Sequence, residues 1–229
     1  MHRHVLSQTA RAGTLAALAA IMVTAALAPA TAAARHPDST RGGGSPVRAS
    51  YPWRVLAPPA QALPGRAVPA GVSERTLTFK ATNLAGKPDT GGAVQVFNVD
   101  GKKVSLPGEH FAHGVAKFQV PAGHYFALAS FGGLTNPKIP LRTVVVPQVT
   151  VTGNTTVTVH EITASSKLTV VTPRPATVLD SDVWFQRTGA SGPPLTLEGS
   201  FSSSQQLWFS PTHAKPTVGT LRFSVNQHL

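Results

Sequence analysis

The feature that most constrains the fold is the segment Val149-Thr-Val-Thr-Gly-Asn-Thr-Thr-Val-Thr-Val159, in which valine and threonine alternate on both sides of Gly-Asn. Alternating β-branched residues are typical of half-buried strands. Gly153 and Asn154 tolerate a positive φ, so the segment predicts two strands joined by a tight hairpin turn. No stretch after residue 34 shows helical periodicity. The sequence therefore predicts an all-β protein.

Further strands are predicted before and after this segment. Asp100-Gly101 follows one of them and predicts a hairpin turn. The later group is punctuated by six prolines and has few strands for a closed sandwich. It is therefore either completed by the earlier group or truncated. The additional predicted strands are Arg75–Ala81, Ala93–Val99, Gly114–Val120, Tyr125–Phe131, Thr143–Val146, Lys167–Val171, Val183–Arg187, Leu207–Ser210 and Thr220–Val225.

Residues 1–34 have the organisation of a secretory signal peptide. The first segment is positively charged through Arg3 and Arg11, an apolar core follows at 13–28, and small residues come after it. Cleavage is expected after Ala34 or at Ala30. The apolar core is shorter than the roughly 20 residues that a membrane span needs, so we expect no transmembrane anchor after cleavage. These features predict a secreted, extracellular protein.

The mature chain would contain neither cysteine nor methionine, because both methionines lie in the signal and the sequence has no cysteine. Disulfides and thiolate or thioether metal sites are therefore excluded. Without disulfides, the fold must be held by packing alone, which suits a bacterial exoprotein.

Residues 35–71 are rich in Pro, Gly and Arg and show no strand or helix period. They predict a disordered linker, in which Tyr51 and Trp53 are the only large side chains that could dock on a folded neighbour. The strand pattern begins at Val72. The predicted organisation is thus a linker at 35–71, a β-sandwich domain at 72–163 and a second, small β unit at 164–229.

The net charge of the full chain is +11, and loss of the two signal arginines leaves +9. This charge favours anionic partners such as cell-wall polymers. The basic residues are scattered and form neither an arm nor a stripe interleaved with aromatics, so no specific nucleic-acid binding is expected. We interpret the charge as favouring solubility and weak retention at an anionic surface.

The order of strands and turns resembles a known family. Leu77-Thr-Phe-Lys-Ala81 precedes Gly86-Lys-Pro88 and Gly92-Ala-Val-Gln-Val-Phe97. Asp100-Gly101 and then Gly114-Val-Ala-Lys-Phe-Gln-Val-Pro-Ala-Gly-His-Tyr125 follow. This arrangement is similar to the transthyretin-like, carboxypeptidase-regulatory-like domain, in which Gly-x-Pro and Pro-x-Gly-x-Tyr turns introduce long strands. The resemblance implies a Greek-key β-sandwich.

The continuation resembles the C-terminal accessory region of secreted actinobacterial subtilisin-family peptidases. It runs through Pro147–Val159 and Val171-Thr-Pro-Arg-Pro-Ala176, and the whole resemblance covers about residues 74–190. In those peptidases a catalytic domain precedes this region, whereas here the predicted linker stands in its place. The motifs are turn and strand motifs, so they specify architecture better than activity.

Asp89 lies in the tripeptide Asp-Thr-Gly, which surrounds a catalytic aspartate in subtilisin-like and aspartic proteases. A subtilisin-like enzyme also needs a His base and a Ser nucleophile, and the sequence has neither motif. An aspartic protease needs two such carboxylates, and there is one. Pro-Asp-Thr-Gly-Gly is also favourable turn chemistry. Asp89 is therefore predicted to form a turn, and no catalytic residue is assigned.

Two further groups contain residue types that bind metals. His110 and His113, with Glu109, could chelate a metal, but their surroundings predict a loop and no His-Glu-x-x-His helix is present. Asp180 and Asp182 form an Asp-x-Asp pair that could bind Ca²⁺, but it lacks the glycine and the bidentate glutamate of a calcium loop. Surface histidines and a strand-entry turn are favoured, and no metal or cofactor is predicted.

Asn154-Thr-Thr matches a glycosylation sequon formally, but in a bacterial protein we interpret it as the turn of the predicted hairpin.

Trp184 and Trp208 share the polar phase of their strands, since Val183 and Phe185 fall on the opposite face of one strand and Leu207 and Phe209 on that of the other. An exposed tryptophan on a sheet can stack on a sugar or anchor a partner. The alternative, which we favour, is that the other β unit or the linker covers them. They are the candidate recognition surface.

The leading hypothesis is a secreted, non-catalytic β-sandwich with a binding or scaffold role at the cell surface or in the medium. The first alternative is a remnant or accessory piece of a subtilisin-family protease that acts with a partner chain. The second is a small metal-dependent enzyme built around His110 and His113. The partner would be an anionic cell-wall polymer or a secreted protein.

Overall fold

The computed structural model describes residues 51–56, 73–100, 106, 108–171, 174, 177–212 and 214–228. In these ranges the chain is all-β, with a single turn of 3₁₀ helix at Glu161–Thr163. The strands are β1 (Arg54–Val55), β2 (Glu74–Thr82), β3 (Ala93–Asn98), β4 (Glu109–His110), β5 (Val115–Pro121), β6 (Gly123–Phe131), β7 (Leu141–Val151), β8 (Thr155–His160), β9 (Ser166–Lys167), β10 (Asp180–Arg187), β11 (Leu195–Ser202), β12 (Leu207–Phe209) and β13 (Leu221–His228).

The strands form three sheets that do not close into a barrel. The central sheet has the order β4-β3-β6-β7-β12-β9, the outer sheet β1-β11-β10-β13, and the small sheet β5-β2-β8. Most neighbours are antiparallel, but β12 runs parallel to β7, and β8 runs parallel to β2. This architecture confirms the predicted all-β class and fits a β-sandwich.

Both faces of the central sheet are buried. In β6, Tyr125, Ala127 and Ala129 pack against the small sheet in a first core, whereas Phe126 and Leu128 pack against the outer sheet in a second core. All five are completely buried. Since successive side chains of a strand point to opposite faces, an uninterrupted apolar run is what a strand between two layers requires.

The hairpin predicted at Gly153-Asn154 is wrong. Both strands exist, but β7 belongs to the central sheet and β8 pairs with β2 in the small sheet. The chain therefore crosses the first core between them, and Val151 of β7 and Val159 of β8 both contribute to that core. Neither turn residue has a positive φ. Instead, Asn154 Oδ1 accepts a hydrogen bond from the Thr76 N–H at 3.0 Å.

The other predicted strands correspond to strands of the structure with shifted ends, except that Thr143–Val146 and the strand predicted from Val149 are both parts of β7. Lys167–Val171 is an exception, because only Ser166–Lys167 forms a strand there. Three strands were not predicted, namely β1, β4 and β11. The turn predicted at Asp100-Gly101 lies partly outside the described residues. The Greek-key connectivity stays a prediction.

Residues 51–56 lie in the predicted linker, yet the structure shows them ordered against the sheets. Trp53 is only 2% exposed and stands in the second core. Its indole N–H donates to Ser130 Oγ, and its ring packs edge-on against Phe185 and Phe201. The free energy gained by burying one large aromatic ring offsets the conformational entropy lost in ordering a short segment. A single docked residue leaves no periodic pattern, so the sequence did not reveal it. The rest of 35–71 lies outside the described residues.

The C-terminal strands are completed by the earlier ones. Strand β12 adds to the central sheet, and the outer sheet covers the second core, so the two predicted units share both a sheet and a core. The position of a domain boundary therefore stays a prediction. The predicted signal peptide lies outside the described residues. None of the described residues forms a helix long and apolar enough to cross a bilayer.

Trp53→Ala should lower the free energy of unfolding by about 3–5 kcal/mol, the range for truncating a buried tryptophan. Arg54→Ala is the matched control, because the Arg54 side chain is 70% exposed and its ion pair with Glu198 is 3.8 Å long. Urea unfolding of both variants measures the difference. Equal stability of Trp53→Ala and wild type would show that this segment does not dock.

Candidate functional site

Asp89 caps a turn, as predicted. Its Oδ2 accepts the N–H of Gly91 at 3.1 Å and the N–H of Gly92 at 2.6 Å, and the side chain is 7% exposed. Its backbone carbonyl also accepts the N–H of Gly114, which ties this turn to the start of β5. A buried carboxylate with both N–H donors on one oxygen closes an Asx turn. The local geometry of Asp89 is that of a structural cap.

His110 and His113 lie in different local structures. His110 is exposed on β4 and its ring stacks on Tyr51, whose hydroxyl donates to the carbonyl of Gly108. His113 occupies the turn before β5 with a positive φ of 49°. Among the described residues, the one convergent group of three metal-ligand side chains lies elsewhere.

That group consists of Asp180, Asp182 and His228. The two aspartates lie at the start of β10, where the sequence predicted the beginning of a strand. Their side chains share one face of that strand. His228 lies directly opposite Asp180 on β13, and its Nδ1 is 2.8 Å from Asp180 Oδ1 while its Nε2 is 3.8 Å from Asp182 Oδ2. Two carboxylates and an imidazole could hold a divalent cation. Without a cation, the same two carboxylates would form ion pairs with the imidazole in its protonated form.

The same outward face of the outer sheet carries Trp184. Its indole N–H donates to Glu198 Oε1 across the β10–β11 pair at 3.2 Å, and Glu198 Oε2 lies 3.8 Å from Arg54. The ring is half-buried and is flanked along the sheet by Ser200 and Ser224. Glu198 therefore fixes the orientation of an aromatic ring within a polar surface.

Trp208 has a different environment. Leu207 and Phe209 of β12 face the second core, so Trp208 points to the other side of the central sheet. There the guanidinium of Arg142 lies 4.5 Å from the ring centroid, and the Lys167 ammonium lies at 6.0 Å. One face of the ring is thus occupied by a cation of the protein itself.

Glu161 completes this cluster. Its Oε1 lies 3.9 Å from Arg142, and its Oε2 accepts the N–H of Leu84. Burial raises the pKa of the Glu161 carboxyl above its usual 4.5, and the nearby Asp89 carboxylate adds to this rise, whereas the Leu84 N–H and the Arg142 charge oppose it. Burial is the largest of these influences, so keeping the Glu161 carboxyl ionised at neutral pH destabilises the folded state.

Trp184 and Trp208 lie on different surfaces. Trp184 points away from the second core on the outer sheet, and Trp208 points away from it on the central sheet, so two layers separate them. Sequence phase placed both on polar faces, but it could not show that these faces are distinct. It also missed Glu198 and His228 as neighbours, because strand pairing brings them there from distant positions.

No protein-family model matches the chain, and no curated protein or solved structure was found to be similar to it.

Asp89→Ala should lower the free energy of unfolding by about 1–3 kcal/mol, because it leaves the N–H of the buried Gly92, and that of the exposed Gly91, without their acceptor. Asp89→Asn keeps an oxygen acceptor and should cost less. Thermal unfolding of both variants tests this order, and a more damaging asparagine would show that the negative charge matters beyond capping.

Glu161→Gln should change how stability depends on pH. The pKa of Glu161 is higher in the folded state than its ordinary value of 4.5, so the folded state holds this proton more tightly than the unfolded state does. The resulting stabilisation is complete at acid pH and is lost as the pH rises from about 4.5 through the folded pKa. Wild-type stability should therefore fall relative to Glu161→Gln between acid and neutral pH. Urea unfolding across that range measures the difference, and a difference independent of pH would contradict the burial argument.

Proposed function

We propose that the protein is a secreted, non-catalytic β-sandwich with a binding role at the cell surface or in the medium, and that the outward face of the outer sheet is its recognition face. The observation that carries this proposal is Trp184, a half-buried ring that Glu198 orients within a polar sheet surface. A preoriented aromatic ring supplies contact area at low entropic cost.

The neighbours of Trp184 indicate the chemistry of the ligand. The pairing registers place Ser224 of β13 directly opposite Trp184, and they set Asp182, two residues before the ring on β10, between Ser200 of β11 and Asn226 of β13. Hydroxyl, amide and carboxylate groups around an aromatic ring suit a hydroxyl-rich ligand, because the ring stacks on a sugar face while the polar groups bind its hydroxyls. We infer a carbohydrate ligand, namely the glycan part of a cell-wall polymer.

Under this proposal the net charge of the protein and the charged residues of the recognition face have different roles. The recognition face carries Asp180, Asp182 and Glu198 together with Arg54 and Arg222, whereas the sequence without its signal would carry +9 overall. The net charge attracts an anionic polymer over a distance set by salt screening, and the recognition face, which has no excess of positive charge, contacts its sugar rings rather than its anionic groups. Binding should therefore weaken with salt without being abolished.

Trp184→Ala should weaken binding to purified cell-wall material by roughly thirtyfold, which corresponds to about 2 kcal/mol for a stacked aromatic anchor. Its free energy of unfolding should change less than that of Trp53→Ala, since Trp184 is only half-buried. Co-sedimentation with the insoluble polymer measures affinity, and thermal unfolding measures stability.

Trp208→Phe is the control, because it alters an indole on the other side of the central sheet. It should bind as the wild type does. Unchanged binding by Trp184→Ala would overturn the assignment of this face. Capture of a secreted protease, in place of polymer, would favour the alternative that the chain is an accessory piece of a subtilisin-family peptidase.

A further inference from the structure

Strand β13 is a long, regular edge. In the described part of the chain it is the last strand of the outer sheet, and it pairs with β10 without a bulge through eight residues, from Leu221 opposite Arg187 to His228 opposite Asp180. The strand contains no proline and no lysine, and Arg222 is its only permanently charged residue. Its outer row of backbone N–H and C=O groups is thus open to pairing with another strand.

The other sheet edges are protected in ways that β13 is not. The edge strands β1, β4 and β9 have two residues each, and β5 carries Lys117 and ends at Pro121. The remaining edge, β8, is regular, but Val157 and Val159 on its inward face are already partly or wholly covered by the first core. Short strands, lysine and proline are the usual means of blunting an edge.

The inward face of β13 leaves part of the second core open. Leu221 and Val225 pack against that core and are half-buried. Between them, Phe223 contacts the rings of Phe185 and Phe209 at centroid distances of 5.2 and 5.1 Å, yet it is 47% exposed. An added strand beside β13 would cover this ring while pairing the free backbone groups.

We propose that this edge pairs with the β13 edge of a second copy of the chain, antiparallel and about a two-fold axis at Phe223. In that register Phe223 lies opposite its own counterpart, and Leu221 lies opposite Val225 of the second copy, so the three apolar residues of the inward face meet only apolar partners. Arg222 lies opposite Ser224, which keeps like charges out of direct opposition. A self-complementary strip of this kind is what a two-fold interface requires.

A shift of the register by one step on the same face removes this match. With the axis at Ser224, Leu221 would lie opposite Gln227. With the axis at Val225, Phe223 would lie opposite Gln227, and Arg222 would lie opposite His228. With the axis at Arg222, this arginine would lie opposite its own counterpart and Val225 would lie opposite Gly219. The apolar and charge patterns together therefore select the register.

Cysteine cross-linking tests this register directly, since the chain has no cysteine of its own. Directly opposite residues have Cα atoms roughly 4.5–5.5 Å apart, within the range of a disulfide. Phe223→Cys should therefore be recovered mainly as a disulfide-linked dimer after mild oxidation. Ser224→Cys is the matched control, because its counterpart would lie diagonally at about 7–8 Å, and it should remain mainly monomeric.

Two further measurements keep the test independent of the packing of Phe223. Sedimentation velocity of the wild type should show a shift from monomer to dimer with rising concentration. The double variant Arg222→Cys/Ser224→Cys leaves Phe223 intact, and it should cross-link because residues 222 and 224 lie opposite each other. A wild type that stays monomeric would overturn the proposal, as would a dimer in which neither the Phe223→Cys nor the double variant cross-links more than Ser224→Cys.

Discussion

The structure depends on burying both faces of the central sheet. Strand β6 contributes to two cores at once, with Tyr125 facing the small sheet and Phe126 facing the outer sheet. A sheet that is covered on one side only needs alternating polarity, whereas this one exposes apolar residues on both sides until two further layers cover them. Neither the small sheet nor the outer sheet is therefore optional, because each covers surface that the central strands cannot hide by themselves.

This constraint explains which parts of the fold the sequence predicts. Alternation located β2, β10 and β13, because period two is a local property. Partners are not local, so the sequence could not show that β7 and β8 enter different sheets. Strand β11 does alternate, with Leu195, Leu197 and Phe201 on one face, but Gly199 interrupts the pattern. A Cβ at Gly199 would lie 2.6 Å from the Phe201 ring and 2.8 Å from the Trp53 ring, so the interruption leaves the space that these two rings occupy.

The candidate site shows the same division between local and distant information. The sequence identified Trp184 and the Asp180–Asp182 pair as candidates, because residue type and phase are visible in a single strand. It could not identify Glu198, which orients the indole, or His228, which faces both aspartates, since these come from neighbouring strands. Conversely, Asp89 was correctly predicted as a turn, because an Asx turn involves only residues close in sequence.

Apart from the direct packing of the two sheets in the second core, two contacts tie the outer sheet to the central sheet, one through Trp53 and one through Arg187. Trp53 fills the second core near β11, while the Arg187 guanidinium, on a residue only 1% exposed, donates to the carbonyl of Pro147 and to Gln148 Oε1. Burial lowers the pKa of Arg187 from its ordinary value, and the Asp100 charge opposes this. Carbonyl and amide acceptors rather than a contacting carboxylate thus hold a buried cation, which fixes the strand end firmly only if all of its donors are satisfied. Trp53 lies toward β11, on the side of the outer sheet away from β13, and Phe223 of β13 stays 47% exposed, so the β13 edge is where the second core has the least cover.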